Sequence, residues 1–320
     1  MNNKLYTPPN PALWTGRVDS ETDAAQFRFH QVVRCALPED LADISETVLL
    51  GFACDEGVRR NKGRLGAAGG PDYFRQTIGS LSWHGDEAGF VDAGTLHNVE
   101  DKLEEAQAEL GEMVHHLLKK SKKTVVIGGG HETAFGHYLG IANFLKESEP
   151  EAKLGILNID AHFDLRPYNG IPHSGSPFLQ AHNHAALAGL DLTYFVYGIN
   201  RLNNTKSLFD TARLLGTNFV TNNDIFGDEP QSLKAVKQFI ESRSHLYLTI
   251  CLDVFEASAA PGVTAPAWNG IRLHHALKVI NLVKKSGKLI SADVCELNPG
   301  FDEHAKTAKL AGVLFGELVN

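Results

Sequence analysis

The sequence predicts an α/β protein, a three-layer αβα arrangement with a mostly parallel, twisted sheet of about eight strands, and three observations carry that expectation. Short β-branched or apolar runs alternate with longer amphipathic stretches, the pattern of repeated βαβ units. The apolar runs are continuous, as strands buried on both faces must be. Five of them end in unusual polar clusters, and in open parallel sheets ligands collect beyond the carboxyl ends of the strands.

In chain order, the Pro-rich first dozen residues, MNNKLYTPPNPA, cannot form a regular helix or a central strand. They are expected to stay out of the core, wrapping the surface or meeting another subunit, within an N-terminal surface extension over about residues 1–40. Strands are expected at 47–52, 124–127, 153–159, 192–197, 218–221, 246–252 and 289–294, where apolar and β-branched residues run together. Helices are expected at 99–119, 134–144, 233–242 and 274–286, where apolar residues recur at helical spacing. With no repeat, linker or low-complexity segment, residues 1–320 read as one domain.

Composition narrows the function. A 320-residue chain with 43% hydrophobic and 21% charged residues can bury a sizeable core. A net charge of -8 without a dense Lys/Arg block gives no footprint for nucleic acid or anionic membrane, so small molecules are the expected partners. No apolar run approaches the roughly 18–20 residues of a membrane span, and the start has no signal-like apolar stretch, which predicts a cytoplasmic protein. Cys35, Cys54, Cys251 and Cys295 show no CxxC spacing and are expected to be thiols.

The polar clusters carry the chemistry. In NIDAHFD, Asp160, His162 and Asp164 stand at i, i+2 and i+4, and strand alternation would send all three side chains to one side. Two carboxylates and an imidazole suit a divalent ion such as Mn²⁺ better than the thiolate sets of structural zinc. His131 follows the glycine run Gly128 to Gly130, where the backbone can turn tightly, and Asp253 follows another strand. The glycine run lacks the Lys-Ser/Thr of a P-loop, and Ser174 and Ser176 lack the setting of a serine nucleophile.

Taken together, GGGHE, NIDAHFD, LDVFEASAAPGV and DVCELNP, in this order and separation, resemble the motifs of the arginase-type ureohydrolase superfamily. Within it, Gly51 to Pro71, the HSGSPF stretch at His173 and LWTGR with the nearby FHQVV resemble the formimidoylglutamases. The resemblance covers nearly the whole chain. It implies an arginase-like fold, a binuclear manganese site, a homo-oligomer, and hydrolysis of N-formimidoyl-L-glutamate to glutamate and formamide in histidine degradation. It further implies that His131 and Asp164 bind one ion, that His162 and Asp253 bind the other, and that Asp160 bridges them. Where the superfamily carries a second bridging Asp, this chain has Cys251. Three readings stay open: Cys251 ligates two Mn²⁺, it leaves the second site partly filled, or it favours a softer metal.

By the same resemblance Asp164 accepts a hydrogen bond from the hydroxide nucleophile and passes its proton on, His173 shuttles protons, and Glu296 binds the amidine nitrogens. The two substrate carboxylates call for Arg, and Arg166, Arg201 and Arg60 are the candidates in that order, with Asn169 beside them. A related hydrolase of guanidino compounds and a metal-poor, non-catalytic relative are the alternatives.

Overall fold

The computed structural model describes residues 5–85 and 88–319. Ten strands form one sheet: β1 (Tyr6–Thr7), β2 (Val33–Cys35), β3 (Ile44–Ala53), β4 (Phe90–His97), β5 (Ser121–Gly128), β6 (Lys153–Ile159), β7 (Asp191–Ile199), β8 (Asn218–Thr221), β9 (His245–Cys251) and β10 (Leu289–Cys295). The helices are α1 (Phe29–Val32), α2 (Glu56–Arg60), α3 (Gly70–Ile78), α4 (Leu103–Leu118), α5 (Thr133–Ser148), α6 (Pro177–Ala188), α7 (Lys206–Leu214), α8 (Asn222–Gly227), α9 (Glu229–Ser242), α10 (Leu273–Ser286) and α11 (Lys306–Val319).

Strand order is β1-β4-β3-β5-β10-β9-β6-β7-β8, with β2 also on β4, and every pairing is parallel except β1 with β4. Alternate strand residues supply two apolar layers. Leu49, Val125, Ile127, Leu157 and Leu248 face α3, α9, α10 and α11, whereas Val48, Leu50, Val126 and Ile156 face α4, α5, α6 and α7. Burial on both faces is the reason these strands read as unbroken apolar runs.

All seven expected strands are present, and the sheet holds ten where about eight were expected. The additions are the two-residue β1, the three-residue β2, and β4. Two or three extended residues paired through the backbone leave no periodic signal, and β4 is disguised by polar residues. Its Asp92 is fully buried and accepts from Arg75 at 2.8 and 2.7 Å and from the Trp14 indole at 2.9 Å.

The N-terminal segment corrects another expectation. It lies along the β4 edge, yet Leu5, Trp14 and Phe29 are buried, at 8%, 6% and 2% exposure. Trp14 packs edge-on against Phe90 with ring centroids 5.5 Å apart. Prolines bar regular structure, but they do not stop a large aromatic nearby from filling the gap beside an edge strand.

Candidate metal centre

Four neighbouring strands, β5, β10, β9 and β6, end at one place. The crevice lies where the chain, having placed β3, β4 and β5 in one half of the sheet, crosses to β6 to build the other half, the position at which such folds bind ligands. β5 delivers His131 through Gly128, Gly129 and Gly130. A Cβ on Gly129 would fall 1.8 Å from the Cys54 carbonyl oxygen, so glycine is required for this loop to close on the β3 end. β6 delivers Asp160, His162 and Asp164, β9 delivers Cys251 and Asp253, and β10 delivers Glu296.

The NIDAHFD reading needs one correction. β6 stops at Ile159, and Asp164 has φ +48°, so the three side chains are not carried by a regular strand. They converge nonetheless. His131 Nδ1 is 3.0 Å from Asp160 Oδ2 and 3.0 Å from Asp164 Oδ2. His162 Nδ1 is 3.2 Å from Asp253 Oδ2 and 3.5 Å from Asp160 Oδ1. The geometry thus groups His131 with Asp164 and His162 with Asp253, with Asp160 between them. The donor atoms of His131, Asp160 and Cys251 lie within 4.8 Å of one another, as do those of Asp160, His162 and Asp253.

The electrostatics are those of a place that demands cations. Burial alone would lower the His131 pKa, but Asp160 and Asp164 hold it well above the usual imidazole range. His162 is partly buried, and Asp253 and Asp160 likewise hold it up against its desolvation. Asp160, despite its burial, is held low by hydrogen bonds from both imidazoles, while burial and the Asp160 charge raise Asp164. Burial, then the charges of Asp160, Asp253 and Glu296, push the Cys251 thiol up. A divalent cation would replace the imidazole protons, reverse the directions at His131, His162, Asp164 and Cys251, and keep Asp160 ionised.

The residues fit such a cation. His131 Nε2 lies 2.9 Å from Thr249 Oγ1, so a ring that donates its Nε2–H there can offer the Nδ1 lone pair to a cation in place of the proton held by the carboxylates. Asp253 Oδ1 and Glu296 Oε2 are buried without a hydrogen-bond partner, and His131 Nδ1 faces only the Asp160 and Asp164 carboxylates. Atoms of this kind are costly unless something else engages them.

A cavity of about 300 Å³ opens over these groups, lined by His131, His162, Asp164, Cys251, Asp253 and Glu296 on one side and by Asn61, Lys62, Arg64, Arg166, Ser174 and Thr264 on the other. Glu296 has φ +75°, and its Oε1 accepts the His131 N–H at 3.0 Å. Burial and the Asp253 charge push its carboxyl up to about 7. Among the expected carboxylate binders, Arg166 lines the cavity. Its stem passes close over Gly175, where a Cβ would meet it at 2.8 Å.

Four expected residues lie off the cavity wall. Arg60 is bound to Glu56 at 2.8 Å, Glu104 at 2.7 Å and the Asp101 carbonyl at 2.6 Å, a structural clasp. Arg201 lines a separate surface hollow with Lys206 and Arg213. Asn169 sits exposed in a turn at φ +44°. The His173 ring accepts from the Gly175 N–H at 3.2 Å and hydrogen-bonds the Pro167 carbonyl, so it is tied into its own loop.

Several lining residues gave no sequence signal. Lys62, at φ +61°, and Asn61, which donates to Ser174 at 3.1 Å, come from a loop whose neighbouring arginines drew the attention. Thr264 hydrogen-bonds Glu296. Arg64 is committed to the Val263 and Thr264 carbonyls and lies 3.9 Å over the Phe301 ring.

A parallel sheet with a His/Asp cluster at the ends of four adjacent strands defines a class of metal-centred hydrolase folds, and the chain belongs to the arginase family, which matches residues 45–319. Among its relatives are formimidoylglutamases. That of Nocardia farcinica is 44% identical over 306 residues, covering 96% of this chain and 95% of that protein. That of Geobacillus kaustophilus is 41% identical over 312 residues, covering 96% and 94%. The crystal structure of Trypanosoma cruzi formiminoglutamase with Mn2+2 superposes with a TM-score of 0.77 at 25% identity, covering 92% of this chain and 97% of that one.

Proposed function

We propose that the chain hydrolyses N-formimidoyl-L-glutamate to L-glutamate and formamide, as in histidine degradation, with His131, Asp160, His162, Asp164 and Asp253 as the residues that would hold two manganese ions and Cys251 beside His131 and Asp160. The observation that carries this reading is the cluster of partnerless donors on the floor of a cavity rimmed by Lys62 and Arg166. The near-full-length formimidoylglutamase relatives and the Mn2+2 form of the Trypanosoma cruzi neighbour support it.

Bound there, divalent ions supply Lewis acidity, which lets water act as a nucleophile at neutral pH. The remaining work falls to side chains. The unpartnered Glu296 Oε2 faces the cavity and suits the N–H groups of a planar, cationic formimidoyl carbon. That cation would draw the Glu296 carboxyl back toward its ionised form. Asp164 can take a proton and return it to the leaving amine, because its carboxylate lines the cavity beside the other ligands. Arg166 and Lys62 answer the two carboxylates of the glutamyl part, a need that a decarboxylated guanidino amine would not have.

We also read the protein as a cytoplasmic homo-oligomer. The assembly is supported by Leu202 and Trp268, 88% and 91% exposed, which flank the hydrogen bond between Asn200 and Asn269 and so share one surface region.

The test is a Mn²⁺-reconstituted assay offering formimidoylglutamate, arginine and agmatine in parallel, with metal counted per chain. Formamide release from the first, and no urea from the others, is expected. Urea release, or no turnover of formimidoylglutamate by metal-loaded protein, sinks the proposal.

A further inference from the structure

Past Ile159 the backbone leaves β6 and yet keeps alternating. Asp160, His162 and Asp164 face the ligand cluster, while Ala161, Phe163 and Leu165 are buried at 1%, 0% and 1% exposure. Something must hold that alternation. The last register pair of β6 with β7 is Ile159 with Tyr197. The Asp160 N–H still donates to the Tyr197 carbonyl at 3.0 Å, and the Asn200 N–H to the Ala161 carbonyl at 3.0 Å. Beyond this point a side chain takes the place of the neighbouring strand. Asn204 Oδ1 accepts the Phe163 N–H at 3.1 Å, and Asn204 Nδ2 donates to the Ala161 carbonyl at 2.8 Å and to the Asn200 carbonyl at 2.8 Å.

The amide therefore grips the backbone on both sides of His162. It is 7% exposed, and three of its four hydrogen-bonding positions are filled. The grip is anchored twice. Phe163 packs edge-on against Phe209 and Phe219, with ring centroids 5.0 and 5.1 Å apart, and Asn200 Nδ2 donates to Asn269 Oδ1 at 2.6 Å, on the segment that follows Asp253. One residue later Asp164 stands at φ +48°, in the left-handed region that few residues other than glycine, asparagine and aspartate adopt.

We propose that Asn204 is a positioning residue for the metal centre: its side-chain amide fixes the peptides around His162 and thereby aims His162 and Asp164 before any ion arrives. This rests on the metal-binding reading above. In YGINRLNNT it is Asn200 and Asn204, rather than Arg201, that hydrogen-bond the ligand loop.

Two measurements test it. Hydrogen exchange on metal-free wild-type protein should find the Phe163 amide protected, because its acceptor is already in place. Free exchange that slows only after Mn²⁺ is added would mean the grip is not preformed, and overturns the proposal with no variant needed. Equilibrium dialysis of Asn204→Asp, which keeps the acceptor and loses both donors, should show manganese bound at least about tenfold more weakly, the usual scale of an outer-shell partner. Phe315→Leu, in the buried aromatic cluster with Phe74 and Phe90 on the other side of the sheet, serves as control, lowering the unfolding midpoint while leaving metal affinity within about threefold. Equal weakening in Phe315→Leu, or a folded Asn204→Asp that binds as wild type does, overturns the inference. A wild type that takes up no manganese removes the underlying reading and the inference with it.

Discussion

The Thr249 hydroxyl lies 2.9 Å from Nε2 of His131 and hydrogen-bonds in turn to the buried Asp293. Asp293 also holds His137 Nδ1 at 2.7 Å and the Tyr247 hydroxyl, so the imidazole is tied to a network behind the cluster. Orienting partners of this kind are commonly worth about 10- to 100-fold in metal affinity. Thr249→Val, of nearly equal shape, should weaken manganese binding by about tenfold, whereas Thr249→Ser should stay near wild type. Competition against a fluorescent chelator reads both.

Arg166 and Lys62 rim the cavity without a carboxylate partner among the described residues. Arg166→Ala should raise KM for formimidoylglutamate by more than about tenfold, roughly 1.4 kcal/mol, with a smaller change in kcat. Lys62→Met should act in the same direction. Steady-state kinetics at saturating Mn²⁺ decides, and an unchanged KM removes either residue from the substrate site.

Cys251 brings a soft donor to a set otherwise made of carboxylates and imidazoles. If the thiol weakens the second ion, Cys251→Asp raises the metal count from below two toward two per chain, as elemental analysis after desalting would show. A count equal to that of the wild type would mean that the thiol is an adequate ligand.

Far from the centre, Arg75 and Asp92 are 2% and 0% exposed and share two hydrogen bonds of 2.8 and 2.7 Å. Asp92→Ala would strand a buried guanidinium and free the Trp14 indole. The expected loss is about 3–5 kcal/mol of stability, measured by urea unfolding.

Lys123 gives a pH signature. Burial, then the charges of Lys122 and Lys284, push its ammonium down from 10.5 to about 8. Because the folded value lies below the unfolded one, folding penalises the charged form. The penalty is whole below about pH 8 and fades as pH climbs toward 10.5. Lys123→Met should therefore be more stable than wild type at pH 7, with the gap closing by pH 10. A gap constant across that range would contradict the assignment.

The sheet and the ligand set were readable in the sequence for one physical reason. Doubly buried strands need unbroken apolar runs, and a polar cluster stands out sharply at the end of each. His131, Asp160, His162, Asp164, Asp253 and Glu296 meet because parallel strands finish together. What escaped notice depends on partners distant in the chain. β4 hides because Asp92 is neutralised by Arg75. Arg60 has the chemistry of a carboxylate binder, but Glu56 and Glu104, the latter 44 positions away, occupy it. Asn204 looks like loop polarity until the strandless backbone it supports is seen.

The centre draws on strands β5, β6, β9 and β10, which are neighbours in space, although His131 and Glu296 are 165 positions apart in the chain. During synthesis His131 and the Asp160 loop emerge well before Asp253 and Glu296, and β9 and β10 must slot between β5 and β6 to bring the four together. An ion captured there rewards the finished sheet alone, so metal loading would follow folding and lock it rather than nucleate it.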